Sequence, residues 1–257
     1  MTNMPGNQRS HANRNRSQRL LKAEKIIRIL ETRQSFEGAR VLDIGTGSGV
    51  IAACIAERVG PRGEVVGLDV QDQRVVKEGF TFIQVADSRL PLPDQSFDVV
   101  LSNHVIEHVG GTFAQEQHLS EVYRVLRNNG TAYLTAPNRW AIMEPHYGLP
   151  FLSWLPHQLA NGYLSFFRKV PAYDCYPPGP IQLCLLLRRA GFRRETVAGQ
   201  AARILFELEG GKGLRRVAAS MPTWLIDTFA FISPTMAFLL RKSCASRKVP
   251  IMAAASC

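Results

Sequence analysis

Apolar residues along this chain come in two rhythms. Leu20, Leu21, Ile26, Ile27 and Leu30 recur at helical spacing among Lys and Arg, which predicts a helix over 19–32. Short, nearly unbroken apolar runs then predict strands at Arg40–Ile44, Val65–Asp69, Phe80–Val85, Asp98–Ser102 and Thr131–Thr135. Between them lie helical stretches at Gly49–Val59 and Gln115–Leu126, the second with Leu119, Val122 and Leu126 on one face. Strands that alternate with crossover helices imply a mostly parallel sheet covered on both faces, an α/β doubly wound architecture. No repeat of fixed period interrupts this order.

Past Asn138 the rhythm breaks. Residues 139–180 are crowded with Trp, Phe, Tyr, His and Pro, a pattern too irregular for another crossover helix of ordinary length. Helical spacing resumes at Pro180–Ala190, with Gly191 as its stop, and a strand follows at Arg193–Ala198. Residues 200–233 interrupt again around Gly210, Gly211 and Gly213, before a last strand at Thr235–Leu240. The pattern thus predicts seven strands with two inserted segments, 139–180 and 200–233, placed where a substrate cap would sit. One domain over 19–257 follows, preceded by a basic, disordered tail over 1–18.

Composition adds little until charge is placed along the chain. The 257 residues carry a net charge of +10. Residues 1–30 hold seven basic side chains against one acidic, residues 31–187 twelve against sixteen, and residues 188–257 twelve against four. A mildly acidic middle therefore lies between two basic ends. The overall charge alone would suggest nucleic acid, but its distribution does not. Basic residues are not interleaved with the aromatic ones, and no RNA-binding module signature is present. The five cysteines form no CxxC pair, which points to a reducing compartment and to no thiolate metal site. The start is polar and Arg-rich, unlike a secretory signal; its content leaves an organelle address open beside a plain tail. The longest apolar stretch, 224–240, is broken by Asp227 and Pro234, so no spanning helix is expected.

The sharpest local feature is Val-Leu-Asp43-Ile-Gly45-Thr-Gly47-Ser-Gly49. Here a hydrophobic strand ends in a carboxylate, and glycines let the chain turn tightly into a helix whose N–H groups face a ligand. Twenty residues on, Asp69 ends the next strand, where an acid that grips ribose hydroxyls belongs. A dinucleotide loop reads GxGxxG; this one reads GxGxG with Asp43 before it. A carboxylate there repels a pyrophosphate and suits a cation or an amino group. The segment His104-Val-Ile-Glu107-His108 matches an inverted zinc-protease pattern, HxxEH. It follows an apolar strand directly and meets Gly110-Gly111 at once, so the long helix that zinc chemistry needs is not expected, and no metal site is assigned.

With these features the chain resembles the class I S-adenosylmethionine-dependent methyltransferases, especially the group of small-molecule and lipid-quinone methylating enzymes (type 11-like). The resemblance covers about residues 38–138 by motif and the rest by architecture. It implies a Rossmann-like, seven-stranded, mostly parallel sheet whose last strand inserts antiparallel beside the sixth. It implies S-adenosyl-L-methionine as cofactor, with Asp43, Gly45, Gly47 and Gly49 around its methionine part and Asp69 on both ribose hydroxyls. Asp87 would accept from the adenine amine, with Val70 and Ser88 as its neighbours on the ring. Asn103 and His104 would line the methyl-donor side. Two other readings stay open on the same fold: a NAD-binding oxidoreductase and a noncatalytic cofactor-binding protein.

The acceptor must enter beyond the fifth strand, where Glu144, His146 and Tyr147 stand. His146 is the candidate base, because imidazole titrates near working pH. The first insertion is aromatic and ends in Arg168-Lys169; the second is apolar with Lys212, Arg215 and Arg216 nearby. Apolar surface flanked by cations describes either the lid of a lipid pocket or a membrane-facing element, and a second small core is the plainer reading. The expected partner is a small-molecule or lipid-like, even glycolipid, acceptor. The expected location is cytoplasmic or peripheral to a membrane. Nothing in the chain specifies an oligomeric state.

Overall fold

The computed structural model describes residues 16–87, 89–170, 172–209, 222–228 and 233–243. Its seven strands are β1 (Arg40–Ile44), β2 (Glu64–Asp69), β3 (Thr81–Gln84), β4 (Phe97–Asn103), β5 (Leu126–Pro137), β6 (Phe192–Thr196) and β7 (Thr235–Lys242). They form one sheet in the order β3-β2-β1-β4-β5-β7-β6. Strands β1 to β5 pair in parallel, whereas β7 runs antiparallel between β5 and β6. The winding reverses between β1 and β4, which opens a crevice at the carboxyl ends of those strands. The doubly wound sheet and its antiparallel last strand are as the sequence implied.

Two apolar layers hold the sheet. One face carries α1 (Arg16–Glu31), α2 (Val50–Val59) and α6 (Ala198–Leu208), through Ile26, Leu30, Ile55 and Ile204. The other carries α3 (Thr112–Val125) and α5 (Pro180–Arg189), through Leu119, Val122, Leu183 and Leu187. Central strands are apolar on both faces because both are covered, as in Val41, Leu42, Val99, Val100 and Leu101, all essentially inaccessible. The edge strand β6 instead exposes Arg193, Arg194 and Glu195, and charges on an edge discourage further pairing. Glu195 is also tied to Arg33 beyond α1. Pro180 opens α5 at a position where a missing N–H costs nothing, and Gly191 at φ +87° follows its end.

The stretch after β5 departs from expectation. It contains a short 3-10 turn, Leu152–Trp154, and a twelve-residue helix, α4 (His157–Arg168). Helix α4 buries only Ala160 and Leu164, while Leu159, Phe166 and Phe167 face outward, so much of its apolar stripe is exposed. Leu149, Leu152, Ala160, Leu164, Val170, Tyr173 and Cys175 pack into a third, separate core. Helix α1 is already formed at Arg16, within the stretch expected as tail, and a helix over 198–208 follows β6 immediately. Helix α7 (Thr223–Thr228) belongs to the second inserted segment. The tail up to residue 15, the glycine-rich stretch 210–221 and residues 229–232 lie outside the described residues.

Candidate active site

The loop between β1 and α2 is built by glycine geometry. Gly45 has φ +73° and Gly49, the N-terminal cap of α2, has φ +79°. A Cβ on Gly49 would strike the Val76 carbonyl, and one on Gly45 would lie 2.5 Å from Val105 Cγ2. Both positions therefore exclude side chains on two grounds, backbone strain and space. The second contact also matters for layout, because it seats the loop directly against the turn that follows β4. Gly45 N–H and Thr46 N–H donate to the Leu68 carbonyl, at 2.7 and 3.1 Å, which locks the loop to β2.

Two carboxylates define the loop's chemistry. Asp69 Oδ2 accepts from Gly47 N–H at 2.8 Å, so the ribose-gripping candidate also shapes the glycine turn. Asp43 is 3% exposed at the end of β1. Burial and the nearby Asp69 charge push its pKa up to about 7, against the pull of Arg19 and Lys22. Lys22 is itself pushed down to about 8, chiefly by burial and then by Arg19 and Lys25. The residues fit a cationic ligand on this ground: a positive group placed beside Asp43 would relieve a buried carboxyl strained toward protonation. Ser48 Oγ in the same loop is buried without a hydrogen-bond partner among the described residues, an open polar contact of the sort a bound ligand fills. Farther along the crevice, Val70 is exposed at the end of β2 and Asp87 is exposed beyond β3. Asp87 Oδ1 accepts from Arg89 N–H at 2.8 Å, a turn contact. Ser88 lies outside the described residues.

The carboxyl end of β4 brings the remaining candidates together. Asn103 Oδ1 accepts from Thr135 Oγ1 at 2.9 Å, linking β4 to β5. His104 occupies the left-handed region at φ +57°, held there by its N–H to the Thr135 carbonyl at 3.1 Å. Such a conformation in a non-glycine residue marks a position that its surroundings dictate. It aims Nδ1 at Glu107 Oε1, 3.1 Å away. Residues 104–109 form turns and α3 starts only at Thr112, so the HxxEH segment lacks a protease's long helix, as expected.

His146 arrives from the first inserted segment. Glu144, itself buried, accepts from the backbone N–H groups of His146 and Tyr147 at 2.8 and 2.6 Å, and so shapes the turn that presents the imidazole. Tyr147 Oη donates to Asp174 Oδ1 at 2.6 Å, tying that turn to the chain after α4. His146 Nε2 then stands 3.5 Å from Glu107 Oε1. Burial opposes a charge on His146, but the hydrogen bond to Glu107 and the carboxylates of Glu144, Glu107 and Asp174 together raise its pKa above the ordinary value. His104 goes the other way: burial lowers it, against the bond to Glu107. Glu107 is fully buried, and its bonds to His104 and His146 overcome that burial and hold it well below the usual carboxylate range. Carboxylate and imidazoles thus form one charged unit under the first insertion.

Sequence reasoning named His104 and His146 but missed Glu107 as the residue that joins them, because it weighed Glu107 only within the zinc-protease pattern. It also missed Arg19 and Lys22, which sit near Asp43 from α1. Their signal was present as two cations three residues apart on a helix otherwise buried through Ile26, Ile27 and Leu30.

Comparison with known proteins identifies the fold and the family. A family model described as a methyltransferase domain matches residues 42–134. The chain is 37% identical over 181 residues to a ubiquinone/menaquinone biosynthesis C-methyltransferase, UbiE, of Stenotrophomonas maltophilia, covering 63% of this chain and 69% of that one. A UbiE of Xanthomonas oryzae is 38% identical over 112 residues, covering 39% of this chain, and the match spans only 43% of that relative's length. Among solved structures, a methyltransferase dependent on S-adenosylmethionine from Archaeoglobus fulgidus superposes with TM-score 0.54 at 21% identity, covering 87% of this chain and 94% of that one. The last comparison speaks to the fold alone; the family model spans the motifs around Asp43, Asp69 and the β4 turn. The oxidoreductase reading finds no support among them. The chain belongs to the class I S-adenosylmethionine-dependent methyltransferases.

Proposed function

We propose that this protein transfers a methyl group to a small, apolar, lipid-like acceptor held between the β4 turn and the first inserted segment. S-adenosylmethionine supplies an activated methyl on a sulfonium when bound. The observation that carries the reading is the packing of Val105 against Gly45, because it sets the donor loop beside the buried Glu107–His146 pair. In this reading Asp43 offsets the positive donor, Asp69 holds the ribose hydroxyls, and Asp87 with Val70 and Ser88 holds the adenine. Asn103 and His104 lie at the donor end. His146, kept oriented by Glu144 and charged readily by Glu107, takes the proton that a hydroxyl or acidic carbon of the acceptor gives up. The rest of the catalysis is positioning and exclusion of water.

An apolar acceptor is supported by the cap's surface. Trp140, Ile142, Met143, Phe151, Trp154, Leu159, Phe166 and Phe167 are all exposed within about thirty residues, with Arg168 and Lys169 at the end of α4. Phe166 alone is 81% exposed. Relatives named for ubiquinone and menaquinone biosynthesis favour a quinone-like ring among apolar acceptors. Among the described residues no helix is long and apolar enough to cross a membrane. We place peripheral contact with a membrane on this cap surface, which would let an acceptor pass from lipid to the site.

The test is incubation of purified protein with methyl-labelled donor and separated lipid, polar and RNA fractions of a cell extract. Label in the lipid fraction is expected. Label only in the polar or RNA fraction overturns the apolar acceptor. Donor binding without turnover on any fraction favours a noncatalytic role.

A further inference from the structure

Three imidazoles, a carboxylate and a thiol converge beneath the first insertion, more ligand-type groups than the single base of the methyl-transfer reading accounts for. Two overlapping sets of ligand atoms can be drawn: His104, Glu107 and His146, and His108, His146 and Cys175, each with its atoms within 4.8 Å of one another. We propose that His104 Nδ1, Glu107 Oε1 and His146 Nε2 form a binding site for one divalent cation of the zinc class.

The spacing matches. Glu107 Oε1 lies 3.1 Å from His104 Nδ1 and 3.5 Å from His146 Nε2. Two ligand atoms each about 2.0 Å from a tetrahedral ion stand about 3.3 Å apart. The remaining edge, His104 Nδ1 to His146 Nε2, lies within 4.8 Å. A separate observation points to a missing ligand: Glu107 is 0% exposed, yet its Oε2 has no hydrogen-bond partner among the described residues. A buried carboxylate with one oxygen left without a donor is expensive, and a cation held by that carboxylate offsets the charge that burial penalises.

Ligand chemistry selects the ion. Two imidazoles and one carboxylate suit zinc, cobalt or nickel; magnesium and calcium take oxygen donors. The backbone already holds the ligands in place. His104 is locked by Thr135, and the Glu144 carboxylate clamps the turn bearing His146. The second ligand set is weaker because Cys175 Sγ donates to Asp174 Oδ1 at 3.5 Å and so keeps its proton, whereas a thiol must lose it to bind a metal. His108 Nε2, 4.0 Å from Glu107 Oε1, is placed to join as a fourth ligand. The side chains of His104 and His108 are 21% and 23% exposed, so an ion can reach the site from solvent and retain an open position. The site shares His104 and His146 with the methyl-transfer reading but is argued from its own geometry. Ion and proton compete for His146 Nε2, so the proton-accepting role proposed above belongs to the ion-free protein.

The test uses the full chain, stripped of metal with a chelator and titrated with cobalt(II) chloride. One equivalent should bind with the intense visible absorption of a four- or five-coordinate ion, and zinc chloride should displace it. His146→Ala and Glu107→Gln should each weaken binding by more than about 100-fold, while Cys175→Ser should leave it nearly unchanged. Circular dichroism and thermal melting of each variant report folding; should Glu107→Gln fail there, His104→Ala replaces it. Absence of stoichiometric binding, or binding unaffected in both His146→Ala and His104→Ala, overturns the site. A sulfur-to-metal charge-transfer band, or loss of binding in Cys175→Ser, overturns the ligand assignment in favour of the other set. Donor binding measured on the same samples tests the methyl-transfer reading separately.

Discussion

The donor loop and the cap answer the same problem, holding charged groups out of water, by opposite means. Around β1 and β2 the work is done by the backbone. Asp43 and Asp69 stand at strand ends, the loop between them is locked to Leu68, and glycines with positive φ leave no room for alternatives. Under the cap it is done by side chains from distant segments. Glu107 comes from the β4 turn, His146 from residues after β5, and Asp174 from beyond α4. The first arrangement is local, so it survives as a motif. The second depends on the third core around Leu152, Leu164 and Tyr173 being in place, because that core positions the turn at 144–147. Chemistry that requires an adaptable acceptor site is thereby separated from chemistry that requires an invariant donor.

Four experiments press on this contrast. The largest effect is expected at His146. His146→Ala should lower kcat by about 100-fold or more while donor affinity stays the same, since general-base contributions are typically of that size. Steady-state kinetics beside donor titration would show it, and an equal fall in both would mean that cap and loop are not separate devices. Asp69→Ala should do the reverse, weakening donor binding by roughly 10- to 100-fold, as expected for loss of hydrogen bonds to a charged acceptor. Because Asp69 also holds Gly47 N–H, thermal melting must accompany the titration calorimetry.

The third experiment concerns pH. Asp43 in the folded protein titrates at about 7, raised by burial and Asp69. Its raised value means that folding stability from this group is fully present below the unfolded carboxylate range and is lost as pH rises through about 7. The charged form, which attracts a positive donor, is the one populated at higher pH. Donor affinity should therefore rise by up to about tenfold between pH 6 and pH 8, and this rise should vanish in Asp43→Asn. A flat profile in the unsubstituted protein would remove Asp43 from donor binding. The smallest effect is expected at the cap surface. Phe166→Ser with Phe167→Ser should reduce partitioning to anionic lipid vesicles by roughly three- to tenfold, with donor affinity unchanged. Unchanged co-sedimentation would leave the exposed rings without a membrane role.

What could be read from the chain alone divides along the same line. The alternation of apolar runs and helical spacing determined seven strands and their crossover helices, because a strand buried on both faces must be apolar throughout. The turn from Asp43 to Gly49 and its tie to Asp69 were legible because a strand–helix turn built on positive-φ glycines demands fixed sequence spacing. Helix α4 was passed over because Pro156, Asn161 and Gly162 punctuate a short aromatic segment, although Leu159, Tyr163, Phe166 and Phe167 recur at helical spacing. The role of Glu107 was hidden for a different reason. Its partners His104 and His108 are neighbours in sequence, but His146 is nearly forty residues away, and only the packing of the cap against β4 sets it 3.5 Å from Glu107. Local spacing encodes groups carried by one turn of backbone; a charge cluster drawn from three segments exists only after the core between them has closed.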